Sequence, residues 1–224
     1  MERRTSMTIS AFYFNANECM NCKACMAACN DVHNISPELH LRKVLQAEVG
    51  QWEYQNGIPC ASRIFSYSIS VSCNHCNNPL CATACPQKAI TKDQANGIVF
   101  INQDLCIGCG KCAKACPYHA PVVDRRVKKA LKCDTCFDLR KNNDLPACVA
   151  SCSMRCLSFY SGENYEDITN QILYDHECID SSSLVFPGQN ALLPNPDLTE
   201  PNLFITPHRN DNGLTSDDIV SHDN

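Results

Sequence analysis

CIGCGKCAKACP, residues 106–117, places thiols at Cys106, Cys109, Cys112 and Cys116, in steps of three, three and four, and closes on Pro117. The two short steps let one tight loop point Cys106, Cys109 and Cys112 at three corners of a single iron–sulfur cubane. The last step is about one helical turn, so Cys116 faces away from that cubane and serves a neighbouring one. The segment is therefore one side of a pair.

The rest of the sequence supplies the partners. CMNCKACMAAC carries Cys19, Cys22, Cys25 and Cys29, and CNHCNNPLCATACP carries Cys73, Cys76, Cys81 and Cys85. CDTCFDLRKNNDLPACVASC carries Cys133, Cys136, Cys148 and Cys152. Every group begins C-x-x-C and ends C-x-x-x-C, with only the middle gap varying, so the sequence is built on an internal repeat. The four groups, numbered one to four in sequence order, absorb sixteen of the 19 cysteines among 224 residues.

Zinc competes for any isolated C-x-x-C, because structural zinc sites pair two such knuckles. Two knuckles complete a zinc site, however, and leave the C-x-x-x-C thiols without a role. Fourfold repetition of that extra spacing favours iron–sulfur clusters. Disulfides fit least: the cysteine count is odd, and MERRTSMTISAFYFNANEC has no apolar leader core. Arg3-Arg4 is a twin arginine without the rest of a twin-arginine signal. His75, inside CNHC, is expected to be a loop residue near a cluster rather than a ligand. Cys60 and Cys178 are expected to pack as small apolar residues. Cys156, four residues after Cys152, competes with it as a ligand, and the repeated spacing favours Cys152.

No apolar run is long enough to span a membrane, and a net charge of −5 argues against nucleic-acid binding. The sequence lacks a nucleophile elbow, a phosphate loop and a dinucleotide fingerprint, which leaves one-electron transfer rather than catalysis. Strands are expected at 10–15, 63–70, 98–101 and 157–160, with short helices after each third cysteine. The unit is strand, cluster loop, short helix: an α+β, ferredoxin-like half-repeat. Residues 30–60, with Trp52, read as a β-ribbon. Arg125, Arg126, Lys128, Lys129 and Lys132 form a basic run that is a solvated face, a counter-charge for clusters or a dock for an acidic partner. ENYEDITNQILYD, 163–175, reads as an amphipathic helix. From 187 the sequence is rich in Pro, Asn and Asp, as expected of an extended arm laid along a partner, with a disordered last dozen residues.

With EPNLFITP near the C-terminus, these groups resemble the four-cluster iron–sulfur subunit of complex iron–sulfur molybdoenzymes. The branch most similar is the electron-transfer subunit of the anaerobic dimethyl sulfoxide reductase type. The resemblance implies four 4Fe-4S clusters, with group one paired to group four and group two to group three. Their ligand sets would be Cys19, Cys22, Cys25 and Cys152; Cys133, Cys136, Cys148 and Cys29; Cys73, Cys76, Cys81 and Cys116; and Cys106, Cys109, Cys112 and Cys85. Ser153 stands where the family usually has proline, which weakens a turn but removes no ligand.

The implied architecture is two ferredoxin-like two-cluster modules, 10–35 with 130–162 and 73–129. A β-ribbon insert at 36–72, a helix within 163–186 and an extended arm with a disordered tail at 187–224 complete it. The implied role is a non-catalytic relay between a quinol-oxidising integral membrane subunit and a molybdopterin-containing catalytic subunit that reduces sulfoxides or N-oxides in anaerobic respiration. Membrane association would come through those partners, on either side of the membrane. The alternatives are the same relay in a formate dehydrogenase, a hydrogenase or a polysulfide, thiosulfate or tetrathionate reductase, and a zinc-stabilised interaction module.

Overall fold

A computed structural model describes residues 8–176, 182, 184, 192–211 and 220–222. Cys178 and much of the expected arm lie outside them. The first strand, β1 (Ile9–Asn15), reads ISAFYFN and is buried along its whole length. Its aromatic and β-branched residues suit a strand packed on both faces. It pairs antiparallel with β8 (Leu157–Gly162) and parallel with β9 (Leu203–Thr206), giving a three-stranded sheet in the order β8-β1-β9. Side chains alternate across it. Phe12 and Phe14 enter a core shared with Ile69, Val71, Leu157, Leu203, Ile205 and several cysteines. Ala11 and Tyr13 face Ile168 and Ile172 of the long helix α6 (Tyr165–Asp175). That helix begins where Asn164 accepts a hydrogen bond from the Asp167 N–H at 2.8 Å, and Glu166 and Asp167 add negative charge to its first turn.

Residues 203–206, expected to lie along a partner, instead complete the protein's own sheet. Leu203, Phe204 and Ile205 are each almost fully buried there, which a partner-docked arm would not provide within one polypeptide. The expected disorder of the extreme C-terminus also differs from the structure at Val220–His222. This strand, β10, pairs antiparallel with β2 (Lys43–Gln55).

β2 pairs in turn with β3 (Ile58–Val71) as a long antiparallel ribbon with a register shift between Val49 and Gln51. Asn56 and Gly57, both at positive φ (53° and 77°), make its tight turn, the pair best suited to a right-twisted hairpin. The near half of the ribbon packs Ala47, Tyr67 and Ile69 into the cysteine-rich core. The far half carries Trp52, Tyr54 and Ile58 exposed. Cys60 lies in this far half opposite Glu53 and is only partly buried, so it is less enclosed than a core thiol.

Two small hairpins follow, β4 (Ile90–Lys92) with β5 (Val99–Ile101), and β6 (Val122–Asp124) with β7 (Lys129–Leu131). The exposed turn of the second carries Arg125, Arg126 and Lys128, with Asp124 accepting from the Arg126 backbone N–H and guanidinium. Lys132 is different and is buried. The remaining helices are short: α1 (Ala24–Val32), α2 (Leu80–Thr83), α3 (Lys111–Ala115), α4 (Phe137–Lys141) and α5 (Ala147–Ala150). The architecture is mixed α+β. Among the described residues no helix is long and apolar enough to cross a membrane.

Candidate metal centres

All four cysteine loops share one backbone device. The residue before the second cysteine lies in the left-handed region: Asn21 at φ 57°, His75 at 46°, Gly108 at 66° and Thr135 at 64°. A C-x-x-C loop must reverse within two residues if both thiols are to converge, and the left-handed turn does this. For a non-glycine residue it costs about 1–2 kcal/mol. Only group three uses glycine, and it does so for a second reason. A Cβ on Gly108 would collide with the carbonyl oxygen of Lys128, in the β6–β7 turn that lies against the loop.

The thiols then gather across groups. Cys73, Cys76, Cys81 and Cys116 line one cavity, together with Tyr118 and Ala120. Cys106, Cys109, Cys112 and Cys85 line a second, walled by Ile90, Ile101 and Ala130. Each cavity takes three thiols from one group and the fourth from another. Groups one and four meet where α1 lies beside α5, with the Ser151 hydroxyl donating to the Ala24 carbonyl at 3.4 Å. This brings Cys29 into electrostatic reach of Cys148 and Cys136, and Cys25 into reach of Cys148 and Cys19.

Cys156 is a further thiol at this end. Its Sγ lies 3.5 Å from that of Cys152, and it shares a hydrogen bond with Cys19. That hydrogen bond draws the Cys19 thiol down to about 7 and pushes Cys156 up, with burial adding to the rise.

Burial pushes Cys29, Cys76 and Cys81 up to about 12, with neighbouring thiolates adding to the rise. Thiols so placed stay protonated unless a cation holds them as thiolates. Four sets of soft sulfur donors in apolar surroundings fit an iron–sulfur centre better than a hard cation. Backbone N–H groups already point at some of the sulfurs, as such centres require. Thr135 donates to Cys133 Sγ at 3.3 Å, Ala89 to Cys85 Sγ at 3.3 Å and Ala130 to Cys106 Sγ at 3.4 Å.

Several residues that shape these centres carry no signal in the cysteine spacing. His75 is a buried residue of the group-two loop. It is 1% exposed, and its Nδ1 accepts from the Val99 N–H at 3.0 Å, which ties the group-two loop to β5. That acceptor role leaves the proton on Nε2, which has no hydrogen-bond partner among the described residues. Lys92 clamps the same loop, donating to the carbonyls of His75 and Cys76 at 2.9 and 3.1 Å. Buried Lys132 donates to the Cys133 carbonyl at 2.7 Å. His33 lies with Asp134 beside Cys136, its Nε2 3.5 Å from the sulfur. Arg42, from the insert, is fully enclosed between groups one and four. Of these cations only Lys132 stands out in the sequence, as part of a basic run.

Comparison with known proteins points the same way. A family model described as a 4Fe-4S dicluster domain matches residues 64–162, and a 4Fe-4S binding domain matches residues 16–32. One of the chains of the anaerobic dimethyl sulfoxide reductase of Haemophilus influenzae is 35% identical over 200 residues, covering 88% of this protein and 89% of that one. The Escherichia coli protein of the same name is 34% identical over 199 residues, covering 89% of each. Protein NrfC of Escherichia coli is 35% identical over 159 residues, covering 69% of this protein and 66% of its own length.

Proposed function

Because this protein belongs to the family of those anaerobic dimethyl sulfoxide reductase chains, we propose that it is an electron relay carrying four 4Fe-4S clusters. The observation that carries the proposal is the composition of the two cavities, each with three thiols of one group and a fourth from another. Cys116 would complete the Cys73, Cys76 and Cys81 cluster, and Cys85 the Cys106, Cys109 and Cys112 cluster. By the same exchange Cys152 would complete Cys19, Cys22 and Cys25, and Cys29 would complete Cys133, Cys136 and Cys148. The two modules, 10–35 with 130–162 and 73–129, follow from that pairing.

The clusters, when bound, supply one-electron transfer at potentials set by charge, hydrogen bonding and exposure. The protein's own work is to hold them in line and keep water from the middle of the line. Electrostatic neighbours support an order. Cys148 of group four acts on Cys25 and Cys29 of group one, Cys73 of group two on Cys133 of group four, and Cys112 of group three on Cys81 of group two. The sequence of centres is then group one, four, two, three. Cys22 and Cys109, at the two ends, are exposed, whereas Cys133 and Cys136 in the middle are buried. Electrons would enter and leave at the ends.

One end would face a quinol-oxidising membrane subunit and the other a molybdopterin-containing subunit that reduces sulfoxides or N-oxides, with membrane association through those partners. The test is anaerobic purification with the partners, followed by electron paramagnetic resonance. A quinol analogue should reduce the clusters and dimethyl sulfoxide should reoxidise them. Clusters that stay oxidised with quinol, or stay reduced when sulfoxide is added, would contradict the assignment.

A further inference from the structure

Arg42 precedes β2 and is 2% exposed, among the most enclosed large side chains of the described residues. A buried guanidinium without a counter-charge is strongly destabilising. Among the described residues it makes no ion pair with a carboxylate. Its neutral partners are few. Nη1 donates to Ser70 Oγ at 3.1 Å and to the Ser70 carbonyl at 3.4 Å, and Nη2 donates to Ser72 Oγ at 2.9 Å. Its guanidinium carbon lies 4.5 Å from the centre of the Phe12 ring, and Nε has no hydrogen-bond partner among the described residues.

Cys148, Cys133, Cys25 and Cys29 lie within electrostatic reach of the guanidinium and, held as cluster thiolates, would supply the missing counter-charge. Three of these belong to the Cys133, Cys136, Cys148 and Cys29 set, and Cys25 to the Cys19, Cys22, Cys25 and Cys152 set. Ser70 links the cation to the latter set directly. Its hydroxyl accepts from Arg42, so its proton is free to donate to Cys25 Sγ, 3.4 Å away. Among the described residues Lys92 and Lys132 donate to loop carbonyls, Arg140 donates to the Thr135 hydroxyl beside Cys136 at 2.8 Å, and the basic turn of β6–β7 is exposed.

We propose that Arg42, seated by Ser70 and Ser72 between the thiol sets of groups one and four, is a positioning charge that raises the reduction potentials of those two clusters together. The proposal rests on the four-cluster reading above. A fixed positive charge stabilises whichever cluster state carries more negative charge, which is the reduced one. A buried charge is screened little by salt, so its effect on these two clusters should exceed that on the group-three cluster, which stands last in the proposed order.

The experiment is a redox titration followed by electron paramagnetic resonance on the anaerobically purified complex, with iron counted first. A wild-type iron content well below about sixteen per polypeptide would remove the underlying four-cluster reading rather than the role of Arg42. With wild type loaded, Arg42→Met should lower the midpoint potentials of the group-one and group-four clusters by more than that of the group-three cluster. Arg42→Lys, which keeps the charge, should stay near wild type. If Arg42→Met fails to load iron, a loaded Arg42→Lys with wild-type potentials supports the charge role. The proposal is overturned if loaded Arg42→Met shifts nothing or shifts all four equally, or if Arg42→Lys loses its iron or its potentials as Arg42→Met does.

Discussion

Cys116 belongs by sequence to the group of Cys106, Cys109 and Cys112, and by position to the cavity of Cys73, Cys76 and Cys81. Replacing it with alanine should therefore cost about four irons, all from the group-two cluster, leaving the group-three signal intact. The measurement is iron content with the resonance spectrum of each cluster, and loss confined to the group-three cluster would reverse the pairing. Cys156 poses the complementary case. It lies 3.5 Å from Cys152, so either sulfur is close enough to a shared centre to matter. With Cys152 as the ligand, Cys156→Ala should keep the full iron content and Cys152→Ala should lower it. The opposite pattern would hand the ligand role to Cys156. Spacing alone ranks these two thiols but does not place them, because the local turn at Ser153–Arg155, where Arg155 is at φ 54°, decides where each sulfur points.

At the scale of elements, strands and helices are readable where a single stretch carries its own pattern. The apolar run in SAFYFN and the apolar spacing of α6 are local signals, and each corresponds to an element of the structure. The Asn164 cap is of the same local kind. Asn164→Ala removes the acceptor for the Asp167 N–H and should cost about 1 kcal/mol. In a domain of this size that is a fall of about 2–4 °C in melting temperature, checked by thermal unfolding of the cluster-loaded protein. An unchanged melting temperature would mean that α6 is held by Ile168 and Ile172 alone. Long-range pairing is not readable in this way. LFIT at 203–206 is short, set among prolines and asparagines, and becomes a strand only because β1 offers a parallel edge in the core. The short β4, β6 and β7 strands escape a reading of the sequence because three residues carry almost no periodicity. Arg42 gives no signal because the serines and thiols around it are far away in sequence.

Across the whole molecule, cysteines are part of the core rather than additions to it. Cys73, Cys133, Cys148, Cys152 and Cys156 pack with Phe12, Phe14, Ile69 and Leu157 in its largest apolar cluster. The sheet β8-β1-β9 and the β2–β3 ribbon meet around thiols, so folding and metal loading should be one event. The fourfold repeat of C-x-x-C and C-x-x-x-C makes the centres legible in the sequence. The supporting cations, the left-handed loop residues and the order of the centres need the fold. The most direct test of the central claim is the metal and acid-labile sulfide content of anaerobically purified protein. Four clusters predict about sixteen irons and about sixteen sulfides per polypeptide. A few zinc ions with no sulfide and no visible charge-transfer absorption would contradict it.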